Sequence, residues 1–298
     1  MESPKRDPFD ALQARGLLMQ MVLAIVAVSV LVNYGFPWVR QPGRGPIAMI
    51  AIYAVIAILL AVRGRHAGLG WRRLFGARPT LDALPLLAAI VPLILIAFAA
   101  VWLVFVPLSY VAPTLVEQTI LAPQSSYEVT TYGQFATLVF VMVVAAPLVE
   151  ETLFRGILLH RWAKRWGTPS GVALSSAAFA IGHAEWVGHF VIGVAFAMLY
   201  LRTRSLWVPI LTHAIYNGIF AVPIGMSLWT HDKEPVESLA EFRDGLGLGI
   251  LIFGAGLFLL WFYMDLYWPN ARASEVLVGP VPYDAAAPEA GVATELSS

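Results

Sequence analysis

The feature that most constrains this chain is a succession of eight apolar segments, most of them close to the ~20 residues an α-helix needs to cross a bilayer. Their cores run over 17–36, 47–62, 84–106, 135–159, 170–186, 190–201, 206–228 and 246–268, the second, fifth and sixth being short. The polar segments between them are brief, which leaves little sequence for a water-facing shell. Only 13% of residues are charged and 59% are hydrophobic, whereas an ordinary soluble domain carries roughly 25% charged residues. Lipid is therefore the solvent for much of the surface, and a helix is the element that satisfies its own backbone there. The sequence predicts an all-α fold, a polytopic membrane bundle of about eight transmembrane helices.

Charge placement orients the bundle. With eight spans and the N-terminus inside, 14 of the 19 Lys and Arg fall on the cytoplasmic side, among them Arg63, Arg65, Arg72, Arg73, Arg161 and Lys164. Four (Arg40, Arg44, Lys233 and Arg243) fall on the opposite side, Arg155 lies within a span, and the segment 107–134 has neither Lys nor Arg. This asymmetry follows the positive-inside rule and predicts that both termini are cytoplasmic. The first apolar run is too long for a signal-peptide core, so the expectation is a first membrane helix rather than a cleaved leader. Residues 1–268 read as a single transmembrane domain. The Ala-, Pro-, Glu- and Ser-rich stretch 269–298 reads as a disordered cytoplasmic tail. Zero net charge gives no reason to expect a nucleic-acid partner, and the lack of Cys excludes disulfides, thiolate metal sites and a Cys nucleophile.

Ionisable side chains inside hydrocarbon are costly and point to function. Three spans carry them. The fourth contains PLVEETLFRG, with Glu150, Glu151 and Arg155. Glu151 and Arg155 are four apart, hence on one helix face and able to pair, while Glu150 is rotated by about 100° and is left for chemistry or protonation. The fifth contains FAIGH, ending at His183, and the seventh HAIYN, with His213 and Asn217 one turn apart. Counting helical rise, His213 and Asn217 lie roughly 10–17 Å from the cytoplasmic end of their span and Glu150 about 14 Å from the same side. His183 comes out deeper unless its helix tilts or starts later. A single intramembrane His is readily a hydrogen-bonded packing residue, and a Glu–Arg pair can simply lock two helices. Polar groups on three spans at compatible depth are not accounted for by packing alone.

A carboxylate and an imidazole sharing a water form a general base able to attack an amide. A His–Asn pair on one helix face offers two donors to the resulting oxyanion. The inventory thus fits peptide hydrolysis without a nucleophilic side chain. A zinc-dependent version of the same protease is one alternative, since His183, His213 and Glu150 supply the ligand types of catalytic zinc, although no HExxH is present. A proton-coupled carrier is another, although no internal repeat is visible.

The three strings, EETLFR, FAIGH and HAIYN, occur in separate spans and in the order that resembles the motifs of the CPBP family of CAAX prenyl proteases and bacteriocin-processing or immunity-type (Abi-like) membrane proteins. The resemblance covers roughly 135–220. It implies an intramembrane glutamic endopeptidase in which Glu150 activates water with help from His183. It further implies that His213 and Asn217 stabilise the oxyanion and that Glu151 and Arg155 form a supporting ion pair. The implied substrate is a membrane-associated protein or peptide, with no cofactor, in a multi-pass protein of a bacterial plasma membrane. An immunity-type protein that keeps the motifs but acts by binding is the remaining alternative. Glu185 and His189 match none of these motifs and are expected near the outer end of the fifth helix, away from the site.

Overall fold

The computed structural model describes residues 7–36, 45–79, 88–121, 129–230, 238–267 and 281–285. In chain order the helices are α1 (Pro8–Ala11), α2 (Ala14–Val30), α3 (Gly45–His66), α4 (Trp71–Phe75), α5 (Ile90–Val111), α6 (Pro113–Val116), α7 (Tyr132–Phe140), α8 (Ala146–Glu151), α9 (His160–Trp166), α10 (Thr168–Ile181), α11 (Trp186–Thr203), α12 (Trp207–Thr230), α13 (Leu239–Asp244), α14 (Leu246–Tyr267) and α15 (Pro282–Ala285). No strand occurs among the described residues. Six helical stretches are long and apolar enough to cross a membrane, and Ala14–Val30 and Thr168–Ile181 are shorter apolar helices. Each of the eight apolar segments is therefore helical, in a polytopic membrane bundle. The third segment is α-helical from Ile90; its residues 84–87 lie outside the described residues, as do Arg40, Arg44 and Lys233.

Burial sorts the helices into centre and periphery. Of the most apolar stretch, 56% is buried in α11 against 17% in α3 and in α14. The central helix α11 packs on α5, α10 and α12, while α14 lies along α5 and α3 along α2. Leu23, Ile58, Leu251, Phe258 and Trp261 are left exposed on the outer helices, the inside-out pattern expected where lipid is the solvent. Small residues allow the closest crossings. A Cβ on Gly171 of α10 would fall 2.8 Å from Ala163 and from the Leu159 carbonyl oxygen, and one on Gly193 of α11 would fall 3.0 Å from Ser176.

The fourth segment is one continuous 35-residue helix, Tyr132–Trp166, but it is not regular. Its α-helical pieces α7, α8 and α9 are joined by two π-helical stretches, Val141–Ala145 and Thr152–Leu159, so Glu150 and Glu151 sit between two widened turns. π-turns of this kind recur at functional sites.

The two ends of the described chain meet on the side of the bundle that carries the basic helices α4 and α9. Asp10 of α1 bonds Arg161 at 2.9 Å, and Asp7 bonds Lys164. Within the stretch expected to be a disordered tail, Pro282–Ala285 form the short helix α15, whereas 268–280 and 286–298 lie outside the described residues. Val281 and Tyr283 are buried. The Tyr283 hydroxyl accepts from Gly70 N–H at 3.1 Å, its carbonyl accepts from Arg73 at 2.6 Å, and its ring meets Phe9 edge-on at 4.9 Å. One aromatic side chain with a polar tip thus secures a stretch whose composition argues for disorder.

The Gly171 crossing is testable. Gly171→Val forces a branched side chain against α9 backbone, and overpacking of this type costs roughly 1–3 kcal/mol. The expected result is a lower melting temperature in detergent and less folded protein in membranes. Gly133→Ala, where an added Cβ meets nothing within 4 Å, is expected to change neither.

Candidate active site

The site grows from one buried ion pair. Arg155 and Glu151 are both fully buried, and Arg155 Nη1 donates to Glu151 Oε1 at 2.9 Å, the i,i+4 pairing that the sequence spacing requires. Arg155 Nη2 donates to the Gly193 carbonyl of α11 at 3.0 Å. Its guanidinium lies 4.6 Å from the centre of the Phe179 ring and 5.4 Å from that of Phe196. Phe179, the aromatic residue of FAIGH, thereby has a definite role: its ring face lies beside the buried cation. Glu151 Oε1 also accepts from His213 Nδ1 at 2.9 Å. A single carboxylate oxygen therefore joins the motif helix to α12, and Arg155 joins the same helix to α10 and α11.

Glu150 is in a different setting. Its Oε1 accepts from the Tyr53 hydroxyl of α3 at 2.5 Å. Its Oε2 is buried without a hydrogen-bond partner among the described residues and lies 4.0 Å from His213 Nε2. That carboxylate borders a cavity of ≈ 170 Å³ whose wall also includes Met49, Tyr53, His183, His189, His213 and Asn217. The cavity brings together four of the six residues singled out by sequence: Glu150, His183, His213 and Asn217. The other two, Glu151 and Arg155, lie behind the wall.

His183 reaches the cavity because α10 is short. The helix stops at Ile181, so His183 lies in the turn beyond it and not deeper along a continuing helix, which removes the depth mismatch. Its Nδ1–H donates to the Phe179 carbonyl at 2.8 Å, leaving Nε2 as the acceptor.

Asn217 owes its position to a proline. In the π-turn, the Ala146 N–H bonds the Val141 carbonyl. The next residue, Pro147, has no N–H, so the Met142 carbonyl lacks a backbone donor from either residue. Asn217 Nδ2 donates to that carbonyl at 2.8 Å, which keeps its second N–H available to the cavity.

One residue departs from expectation. His189 is not remote from the site. It stacks on His183 with ring centres 4.0 Å apart and planes 18° apart, and it lines the cavity. Glu185 does stay out of the cavity wall; it caps α11, both carboxylate oxygens accepting from Gly188 N–H at 2.9 Å. Tyr53 was not found by sequence reasoning at all. The available signal was a phenol within an otherwise aliphatic span, MIAIYAVIAIL, but it carries no charge and belongs to no motif. Among the described residues, no three His, Asp or Glu side chains converge as a metal-ligand set.

Residues 132–219 match the family described as Type II CAAX prenyl endopeptidase, Rce1-like. This segment resembles an Rce1-like endopeptidase domain. It contains Glu150, Glu151, Arg155, His183, His213 and Asn217, and it excludes Tyr53. Two relatives carry names that agree with the match. The Bacillus subtilis protein named "Putative membrane peptidase YdiL" is 32% identical over 126 residues, covering 41% of this chain and 47% of that protein. The Staphylococcus aureus protein named "Membrane-embedded CAAX protease MroQ" is 25% identical over 142 residues, covering 45% of this chain and 58% of that protein. The chain thus spans about half the length of these curated relatives. No solved structure gives a significant match.

Removing either partner of the Glu151–Arg155 ion pair strands a buried charge. Arg155→Ala is expected to destabilise the protein by about 3–5 kcal/mol, read as lost membrane abundance and a lower melting temperature in detergent. The double variant Arg155→Ala/Glu151→Gln leaves no stranded carboxylate and is expected to recover part of that loss.

Proposed function

We propose that this multi-pass membrane protein is an intramembrane endopeptidase that hydrolyses a peptide bond of a membrane-associated protein or peptide. The observation that carries the reading is Glu150 Oε2. It is a buried carboxylate oxygen with no hydrogen-bond partner among the described residues, at the wall of a cavity shared with three imidazoles and a carboxamide from elsewhere in the bundle. The match of 132–219 to a prenyl endopeptidase family and the names of the two relatives support the same activity.

In the proposed mechanism a water lies between Glu150 Oε2 and His183 Nε2. Glu150 takes its proton as the oxygen attacks the substrate carbonyl. The oxyanion that forms receives the free N–H of Asn217 and the Nε2–H of His213. Because His213 already gives its Nδ1–H to Glu151, it serves as a donor at Nε2 only when the ring carries both protons. The proton held by Glu150 then passes to the departing amine, and the carboxylate is restored. None of these steps calls on a metal. Glu151 and Arg155 orient His213 and the motif helix without touching the substrate. Both termini are assigned to the cytoplasm on the strength of the Lys and Arg distribution, and the docking of α1 and α15 at one end of the bundle supports placing them on the same face.

The direct test is to map new protein termini in membranes of the native host, comparing the wild-type chain with Glu150→Gln at matched abundance. Termini that vanish in Glu150→Gln establish cleavage and identify the substrate; identical termini in both overturn the reading. With a substrate in hand, Asn217→Ala is expected to lower kcat by about 10²–10³, the usual cost of losing one oxyanion donor.

A further inference from the structure

Tyr53 lies 97 residues from Glu150 in sequence and outside the family match. It is carried on α3, a peripheral helix of which only 17% of the apolar stretch is buried. Yet its hydroxyl donates to Glu150 Oε1 at 2.5 Å, within the range of an O–H donor on an ionised carboxylate. Met49, one turn earlier on the same helix, lines the same cavity. α3 also packs on α7, on α8 and on the π-turn between them. The helix therefore supplies both a wall of the cavity and a fixed donor to the carboxylate.

We infer that Tyr53 is a positioning residue for Glu150, holding Oε1 so that Oε2 alone is presented to the attacking water; this rests on the reading of Glu150 as the base. A Glu side chain has three rotatable bonds, and Glu150 is carried on the short α-helical piece α8 between two π-turns. A carboxylate free to rotate would divide its time between cavity-facing and wall-facing arrangements, whereas a donor on one oxygen selects a single arrangement. The remaining oxygen then faces His213 Nε2 at 4.0 Å and the cavity. Other polar groups around Glu150 do not serve this purpose. Glu151 and Arg155 are engaged with each other, and Nδ1 of His213 is directed to Glu151. After proton transfer the same phenol remains a donor, so Glu150 returns to the orientation from which it started. Alignment of the base is thus tied to the seating of an outer helix, and a displacement of α3 away from the motif helix would release both the cavity wall and the carboxylate.

The test is the kcat and KM of Tyr53→Phe in purified full-length protein on a substrate identified as above, with Glu150→Gln in the same assay. Phe keeps the ring and its packing, so a purely structural Tyr53 predicts wild-type kinetics. The positioning role predicts a fall in kcat of roughly 10- to 100-fold, the range for loss of a hydrogen bond to a charged group, with KM changed by less than about threefold and an unaltered melting temperature. Full kcat in Tyr53→Phe, with Glu150→Gln inactive, overturns this inference and leaves the endopeptidase reading standing. Activity in Glu150→Gln overturns both. Should Tyr53→Phe fold poorly, fluorotyrosines placed at position 53 keep the ring and the hydroxyl while varying the acidity of the phenol. A graded response of kcat supports the inference, and a flat one overturns it.

Discussion

A fully buried guanidinium in an apolar bundle has to be compensated, and this requirement organises the site. Arg155 is one of the largest completely buried side chains in the molecule. Its compensation comes from three directions: the Glu151 carboxylate on its own helix, the Gly193 carbonyl on α11, and the faces of Phe179 and Phe196. Such a pair adds little net stability over an apolar replacement, because desolvation offsets most of the attraction. What it provides is uniqueness. Only one relative placement of the motif helix, α10 and α11 lets every partner reach, so a slipped or rotated helix leaves a charge stranded.

Two adjacent carboxylates are thereby given different work. Glu151 is neutralised from inside the bundle by Arg155 and ties down His213 through the same oxygen. Glu150, one residue earlier and about 100° around the helix, turns toward α3 and the cavity. The division follows from geometry rather than from the residues themselves, which are chemically alike. The two π-turns that bracket the pair contribute to it. Pro147 withholds a backbone donor from the Met142 carbonyl, and Asn217 fills the gap, so an irregularity in one helix fixes a side chain on another.

Helix ends matter as much as helix faces. The short α10 brings His183 out of its helix and onto the cavity wall, and Glu185 then starts α11 as its cap, with His189 stacked on His183. At the opposite end of the bundle, Tyr283 closes a cluster of Phe9, Arg73 and His160 that joins the two ends of the described chain.

The sequence by itself determined the bundle, because runs of apolar residues long enough to span lipid leave no alternative to helices. It also determined what lies within one helix. The four-residue spacing of Glu151 and Arg155, and of His213 and Asn217, sets each pair on one face, since helical periodicity is a local property. Local periodicity says nothing about what meets across helices. The contact of Tyr53 with Glu150, the sharing of Glu151 between Arg155 and His213, the seating of Asn217 on an orphaned carbonyl, the stacking of His189 on His183 and the docking of Tyr283 within a tail that composition marks as disordered were decided only by tertiary packing. Each depends on where a helix stops, widens or crosses its neighbour to within an ångström or two. A side-chain hydrogen bond is sensitive on that scale, and hydrophobic patterning does not encode it.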